Sequence, residues 1–126
     1  MDTADGGEYM ILVNKSTGSV IADQVEVAES FARRLRGLMG RGSFPEGSAL
    51  VLEPCRQVHT FFMRFPIDVI FVNGRGAVLH VMTDVPPRRI SPYVRGAQKV
   101  VELPAGTLIA TDLGKDHILQ LIEREG

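Results

Sequence analysis

CRQVHTFFMRFPIDVIFV, from Cys55 to Val72, is the stretch on which the reading of this chain turns. Its second half, Ile67 to Val72, is almost continuously apolar and β-branched or aromatic, the pattern of a strand covered on both faces. Asn73-Gly74-Arg75-Gly76 follows, and a second apolar arm, Ala77 to Thr83, comes after it. Asn-Gly between two such runs is the strongest short-range hairpin signal, because both residues tolerate the left-handed backbone that a tight turn requires. A β-rich fold is expected from these residues alone.

The first half of the stretch is unusual for strand sequence. It holds the only cysteine, Cys55, and also His59, Met63 and Arg64, in a run that would otherwise read as buried. Polar groups in such a place need partners, so a site is expected here. Val58, Thr60, Phe61 and Phe62 favour extended chain and Pro66 would interrupt a helix, so Val58 to Met63 is expected to be a strand. Strand parity puts Cys55, Gln57, His59, Phe61 and Met63 on one face.

Working outward, Tyr9 to Val13 and Ser19 to Val27 read as two strands of a hairpin around a turn at 14–18. Ser30 can cap a short helix in which Phe31, Leu35 and Leu38 fall on one side, with Gly40 at its end. Ala49 to Leu52, Gln98 to Leu103 and His117 to Ile122 read as further strands, and Thr107 to Leu113 as one or two helical turns. Asp84 to Gly96, with three prolines and three arginines, is expected to be a long loop of the kind that often carries function. The fold class expected is mainly β with one or two short helices, a compact single-domain β-barrel-like or sandwich architecture. Residues 1–8 are expected to be a disordered N-terminal segment and residues 9–126 the single domain.

At 126 residues one core is enough. No apolar run approaches the roughly 18 residues of a membrane-spanning helix, so no membrane span is expected. The opening MDTADGGEYM has neither the basic head nor the apolar middle of a secretory signal, and a cytoplasmic location is expected, a trimmed leader apart. One cysteine excludes an internal disulfide and an all-thiolate metal centre within one chain.

The net charge of −1 hides an uneven distribution. Between Arg33 and Lys99 lie eleven basic residues and four acidic ones, and arginine's planar fork suits carboxylate or phosphate. The residue before Pro66 is pushed toward extended geometry, so Arg64 and Asp68 can meet across that corner. The expected ligand-binding set is therefore His59, Met63, Arg64, Asp68, Arg88, Arg89 and Arg95, with Cys55 as a possible reactive thiol. Cys55, His59 and Met63 recur every four residues, but on a strand four residues span about 13 Å, too far for one ion. No metal, no cofactor and no catalytic residue is expected.

RLRGLMGR (Arg34 to Arg41), VHTFFMRFPIDVIFV (Val58 to Val72), VVELPAG (Val100 to Gly106) and the Gly-x-Asp turn at Gly114 to Asp116 together resemble domain-of-unknown-function family 192, DUF192. The resemblance runs from about Met10 onward. It implies a compact, mostly β, barrel-like domain of bacteria and archaea, and no established activity. The family pattern falls on Gly37, Leu38, His59, Thr60, Met63, Pro66, Asp68, Glu102, Leu103 and Gly106. Some members carry a tryptophan and a lysine near Phe62 and Arg64 and a leader peptide; this chain has neither feature.

The expected function is a non-catalytic binding module for a small or extended anionic or polar ligand near His59 and Arg64. An accessory protein–protein interaction domain is one alternative. A thiol- or metal-dependent enzyme using Cys55 and His59 is another. The partner expected is a small anionic or polar ligand or a protein, with no nucleic acid, since near-zero net charge and two tyrosines give little for stacking or phosphate contact. A monomer is expected.

Overall fold

The computed structural model describes residues 10–123, so the expectation for residues 1–8 lies outside the described residues. The order is β1 (Met10–Asn14), β2 (Ser19–Ala28), α1 (Phe31–Arg36), β3 (Ser48–Leu52), β4 (Ile67–Val72), β5 (Val78–Val85), β6 (Lys99–Pro104) and β7 (Leu119–Glu123). The strands form one sheet in the order β5-β4-β6-β3-β2-β1-β7. All pairs are antiparallel except β2 and β3, which run parallel and are therefore joined by a crossover that contains α1. No helix among the described residues is long and apolar enough to cross a membrane.

The sheet curls until its two edges touch. Beyond the end of the ladder, Val78 N–H donates to His117 O at 2.9 Å, Asp116 N–H to Val78 O at 3.0 Å and Leu119 N–H to Gly76 O at 2.8 Å. Gly76 has φ +86°, and a Cβ there would sit 2.4 Å from Leu119 O, so glycine is required both for the turn and for this close approach. The Asn-Gly hairpin forms as expected, with Asn73 Oδ1 accepting from the amides of Arg75 and Ala77, each at 2.9 Å.

Alternation along the central strands splits the core in two. Ile70 and Val72 on β4 and Val101 and Leu103 on β6 pack with Leu12, Val25 and Val51 on one face. Val69, Phe71 and Val100 pack with Leu38, Leu50, Leu52, Val58 and Met63 on the other. By the same parity Glu102, between Val101 and Leu103, is turned toward the second cluster. Each β4 residue is buried, which explains why its sequence shows no polar alternation.

Two expected elements differ. Val58 to Met63 is not a strand of the sheet: His59 makes one isolated bridge to Ile90, and the chain then turns through Phe62 at φ +66°. The facing segment has Pro86, Pro87 and Pro92 around Ile90, which supply no N–H, so a ladder cannot extend in either direction. Thr60 replaces it, its hydroxyl donating to Pro86 O at 2.7 Å and accepting from Arg89 N–H at 2.9 Å. Thr107 to Leu113 forms turns, not a helix, with Thr107 N–H returning to Pro104 O and Thr111 N–H to Leu108 O.

Candidate functional site

Helix α1 begins where Ser30 Oγ accepts the Arg33 amide at 3.1 Å and ends at Gly37, whose N–H donates to Arg33 O at 2.8 Å. It has no buried residue, and Phe31 stays 73% exposed, so its apolar side is not spent on the core. Under it lies a cavity of about 230 Å³. One wall is α1 and its continuation, with Phe31, Arg34, Leu35, Arg36, Gly37 and Met39. The other is Cys55, Gln57, Val58, His59 and Met63, with Leu52 and Glu102 contributed by the sheet.

The wall carrying His59 is held by a neighbouring loop. Cys55 N–H donates to Gln98 O at 3.1 Å, Val58 N–H to Ser91 Oγ at 2.9 Å, Ser91 N–H to Val58 O at 2.8 Å and Thr60 N–H to Arg89 O at 2.8 Å. Segment 55–60 and the loop after β5 therefore run side by side, each completing the other's backbone bonds. His59 Nδ1 accepts the Phe61 amide at 3.1 Å, so the neutral ring carries its proton on Nε2.

Glu102 is the group that the sequence reading did not place in the site. It is 1% exposed, and its Oε1 has no hydrogen-bond partner among the described residues. Its ladder neighbours are Val69 on β4 and Leu50 on β3, both apolar. Burial pushes its carboxyl up to about 8, against a smaller pull downward from the charge of Arg41. Arg41 cannot close on it as well, because its guanidinium holds Glu26 in two-point fashion at 3.0 and 3.1 Å. A Cβ on Gly37 would sit 3.9 Å from Glu102 Oε1, which puts the end of α1 directly over this oxygen. The signal in the sequence was a charged residue inside VVELP, a run otherwise apolar enough for a central strand.

Of the expected site residues, Cys55, His59 and Met63 line the cavity together, but not by strand parity, since Val58 lines it with them and Phe61 does not. Burial pushes the Cys55 thiol up, the Glu102 charge adds to this, and its S–H donates to Gln57 O at 3.3 Å. Arg64, Arg88, Arg89 and Arg95 are exposed and outside the cavity lining. The expected Arg64–Asp68 clamp is absent: Asp68 is buried and its two oxygens accept the amides of Asp84 at 2.8 Å and Leu108 at 2.9 Å. Asp68 thus ties the β5 end and the loop after β6 to β4, away from His59. His117 bonds Asn14, and the His80 ring lies tilted against Phe71, so neither is set beside Cys55. Among the described residues no three His, Cys, Asp or Glu side chains converge as metal ligands.

An incomplete barrel of seven strands, with a cavity that has an acidic floor beneath one short helix, defines a small β-domain built to present a pocket at the side of its sheet. The chain belongs to the DUF192 family, described as uncharacterized ACR, whose model matches residues 12–121. Similar proteins include a UPF0127 protein of Pyrococcus furiosus, 34% identical over 79% of this chain and 87% of its own length. A UPF0127 protein of Thermococcus sibiricus is 31% identical over 78% of this chain, which spans 66% of that relative. Two solved structures share the fold. One, from Sinorhizobium meliloti and described as a candidate transcription regulator, has a TM-score of 0.78 at 21% identity, covering 96% of this chain and 98% of that one. The other, a protein of unknown function from Novosphingobium aromaticivorans, has a TM-score of 0.76 at 18% identity, covering 88% and 82%.

Proposed function

We propose that this chain is a binding module whose site is the cavity between α1, the Cys55–Met63 segment and β6. The ligand is small, with an apolar body between Leu35, Met39, Val58 and Met63 and a polar head directed at Glu102. The observation that carries this reading is the buried Glu102 oxygen without a partner among the described residues, on a side chain that lines this cavity. A polar group left unsatisfied in a core costs about 1–3 kcal/mol, and a ligand that satisfies it recovers that cost.

Two features weigh toward binding over thiol chemistry. Cys55 is held as the thiol by burial, and His59 Nδ1 is already engaged by the Phe61 amide. A polar head is favoured over an anion because an anion against Glu102 would hold its carboxyl in the protonated form and be repelled once it ionises. The description attached to the Sinorhizobium meliloti structure supports no nucleic-acid role here, since at 21% identity only the fold is shared.

The test is a fragment screen by thermal shift and amide NMR on the full chain, spanning amines, alcohols, carboxylates and phosphates. Hits are expected to perturb the amides of His59 and Met63 and to lose most of their effect in His59→Ala and Met63→Ala. Hits that bind both variants as well as the wild type would place the site elsewhere.

A further inference from the structure

The hydrogen-bonding groups around the cavity are unevenly spent. Several donors of its wall are used inside the protein: Gln57 Nε2 donates to Ser91 O at 2.9 Å, the Cys55 S–H to Gln57 O, and one Arg34 guanidinium nitrogen to the carbonyls of Glu29 and Glu53. The nearby cation Arg41 is committed to Glu26. What remains at the floor is an acceptor, Glu102 Oε1, buried among Val69, Leu50 and the end of α1. Among the described residues the His59 Nε2–H and the Arg36 guanidinium stay unspent at the wall and the mouth, whereas the floor offers only this carboxyl oxygen, so a head that reaches the floor has to bring a donor to it.

We infer that the head received by Glu102 is a cationic donor, so that the cavity's ligands are primary amines with a short apolar body, a step that rests on reading this cavity as the binding site. An alcohol would supply one hydrogen bond to Oε1. An ammonium supplies the bond and also the opposite charge that a buried carboxylate otherwise lacks. A carboxylate or phosphate head would set like charges together in a desolvated space once Glu102 has lost its proton, so anion binding weakens as the pH rises through 8. The body is short because about 230 Å³ has room for only a few carbons beyond the head. The Leu52, Val58 and Met63 side chains that would surround it are buried and apolar. Arg36 at the mouth is solvent-exposed and therefore screened.

Proton linkage follows from the same geometry. The charged or titratable groups facing the floor are Arg41, which favours the carboxylate, and Cys55, His59, Arg34 and Arg36 around the cavity; the β3 and β4 neighbours carry none. An alkylammonium keeps its proton to about pH 10. Since Glu102 loses its proton near 8, amine binding tightens up to about tenfold between pH 7 and pH 9.

Calorimetry and amide NMR on the full chain, with butylamine and phenethylamine set against the matched alcohols and carboxylates at pH 7 and pH 9, decide the matter. Amines are expected to bind and to tighten with pH while alcohols do not change. Glu102→Gln should weaken the amines at least tenfold and the alcohols by much less, since Gln keeps an acceptor but not the charge; the pH comparison on the wild type serves as the second readout should that variant fold poorly. Alcohols or carboxylates that bind through His59 as tightly as amines overturn the amine inference and leave the cavity as the site. If no compound of any head group moves the His59 or Met63 amides, both readings fall.

Discussion

Glu102 is a residue whose cost to the free protein can be measured. Its carboxyl has an ordinary value near 4.5 in the unfolded chain and about 8 in the fold. Below pH 4.5 both states hold the proton, and Glu102 adds no pH dependence. Between 4.5 and 8 the unfolded chain releases it while the folded chain keeps it, so folding loses stability at about 1.4 kcal/mol per pH unit; above 8 the loss levels off. Glu102→Gln has no such titration. The stability gap between this variant and the wild type, from urea melts at pH 5 to 9, should therefore widen in favour of Gln up to about pH 8 and then flatten. A gap that stays constant across this range would mean that the carboxyl is not buried as described. At this scale the sequence was partly legible. Cys55, His59 and Met63 could be grouped because they lie within nine residues of one another, although the chain there is not the regular strand that parity assumes. Glu102 could not be joined to them, because forty residues of chain and the β3–β6–β4 pairing lie between, and only the sheet order puts its face under α1.

At the scale of elements, the hairpin of β4 and β5 was legible because Asn73-Gly74 and two apolar arms are a local rule. The Val58–Met63 strand was misread for a reason that is not local. Its residues do favour extension, but the segment opposite is broken by prolines and gives it one bridge instead of a ladder. Thr60 then does by side chain what a strand would do by backbone. Thr60→Val keeps the shape and removes the hydroxyl, leaving the Pro86 carbonyl and the Arg89 amide short of a partner. It should cost about 1–3 kcal/mol in chemical denaturation, and weaken any His59-dependent ligand because the wall holding His59 loosens. A stability within about 0.5 kcal/mol of the wild type would show that this link does not hold the wall.

At the scale of the whole molecule, the barrel-like architecture was legible from many short strands at regular spacing, but its incompleteness was not. Sequence does not say that β5 and β7 meet only at one end, through Gly76–Val78 and Asp116–Leu119. This short seam joins edges that elsewhere have no ladder between them, whereas β4 and β6 pair along six residues in the middle of the sheet. Hydrogen exchange should rank them accordingly: the amides of Val78 and Leu119 should exchange well before those of Val69 to Phe71 and Val100 to Leu103. Equal protection in both places would indicate a fully closed barrel.

The six-residue α1 leans over the cavity without a single buried side chain, while Glu102 is fastened in a strand paired on both sides within the sheet. Head and tail of a guest are thus judged by parts with different freedom. The anchor point is buried within a paired strand, and the lip formed by Phe31 and Leu35 is exposed. Tail preference can accordingly be retuned by exchanging those two side chains, with the architecture below left as it is.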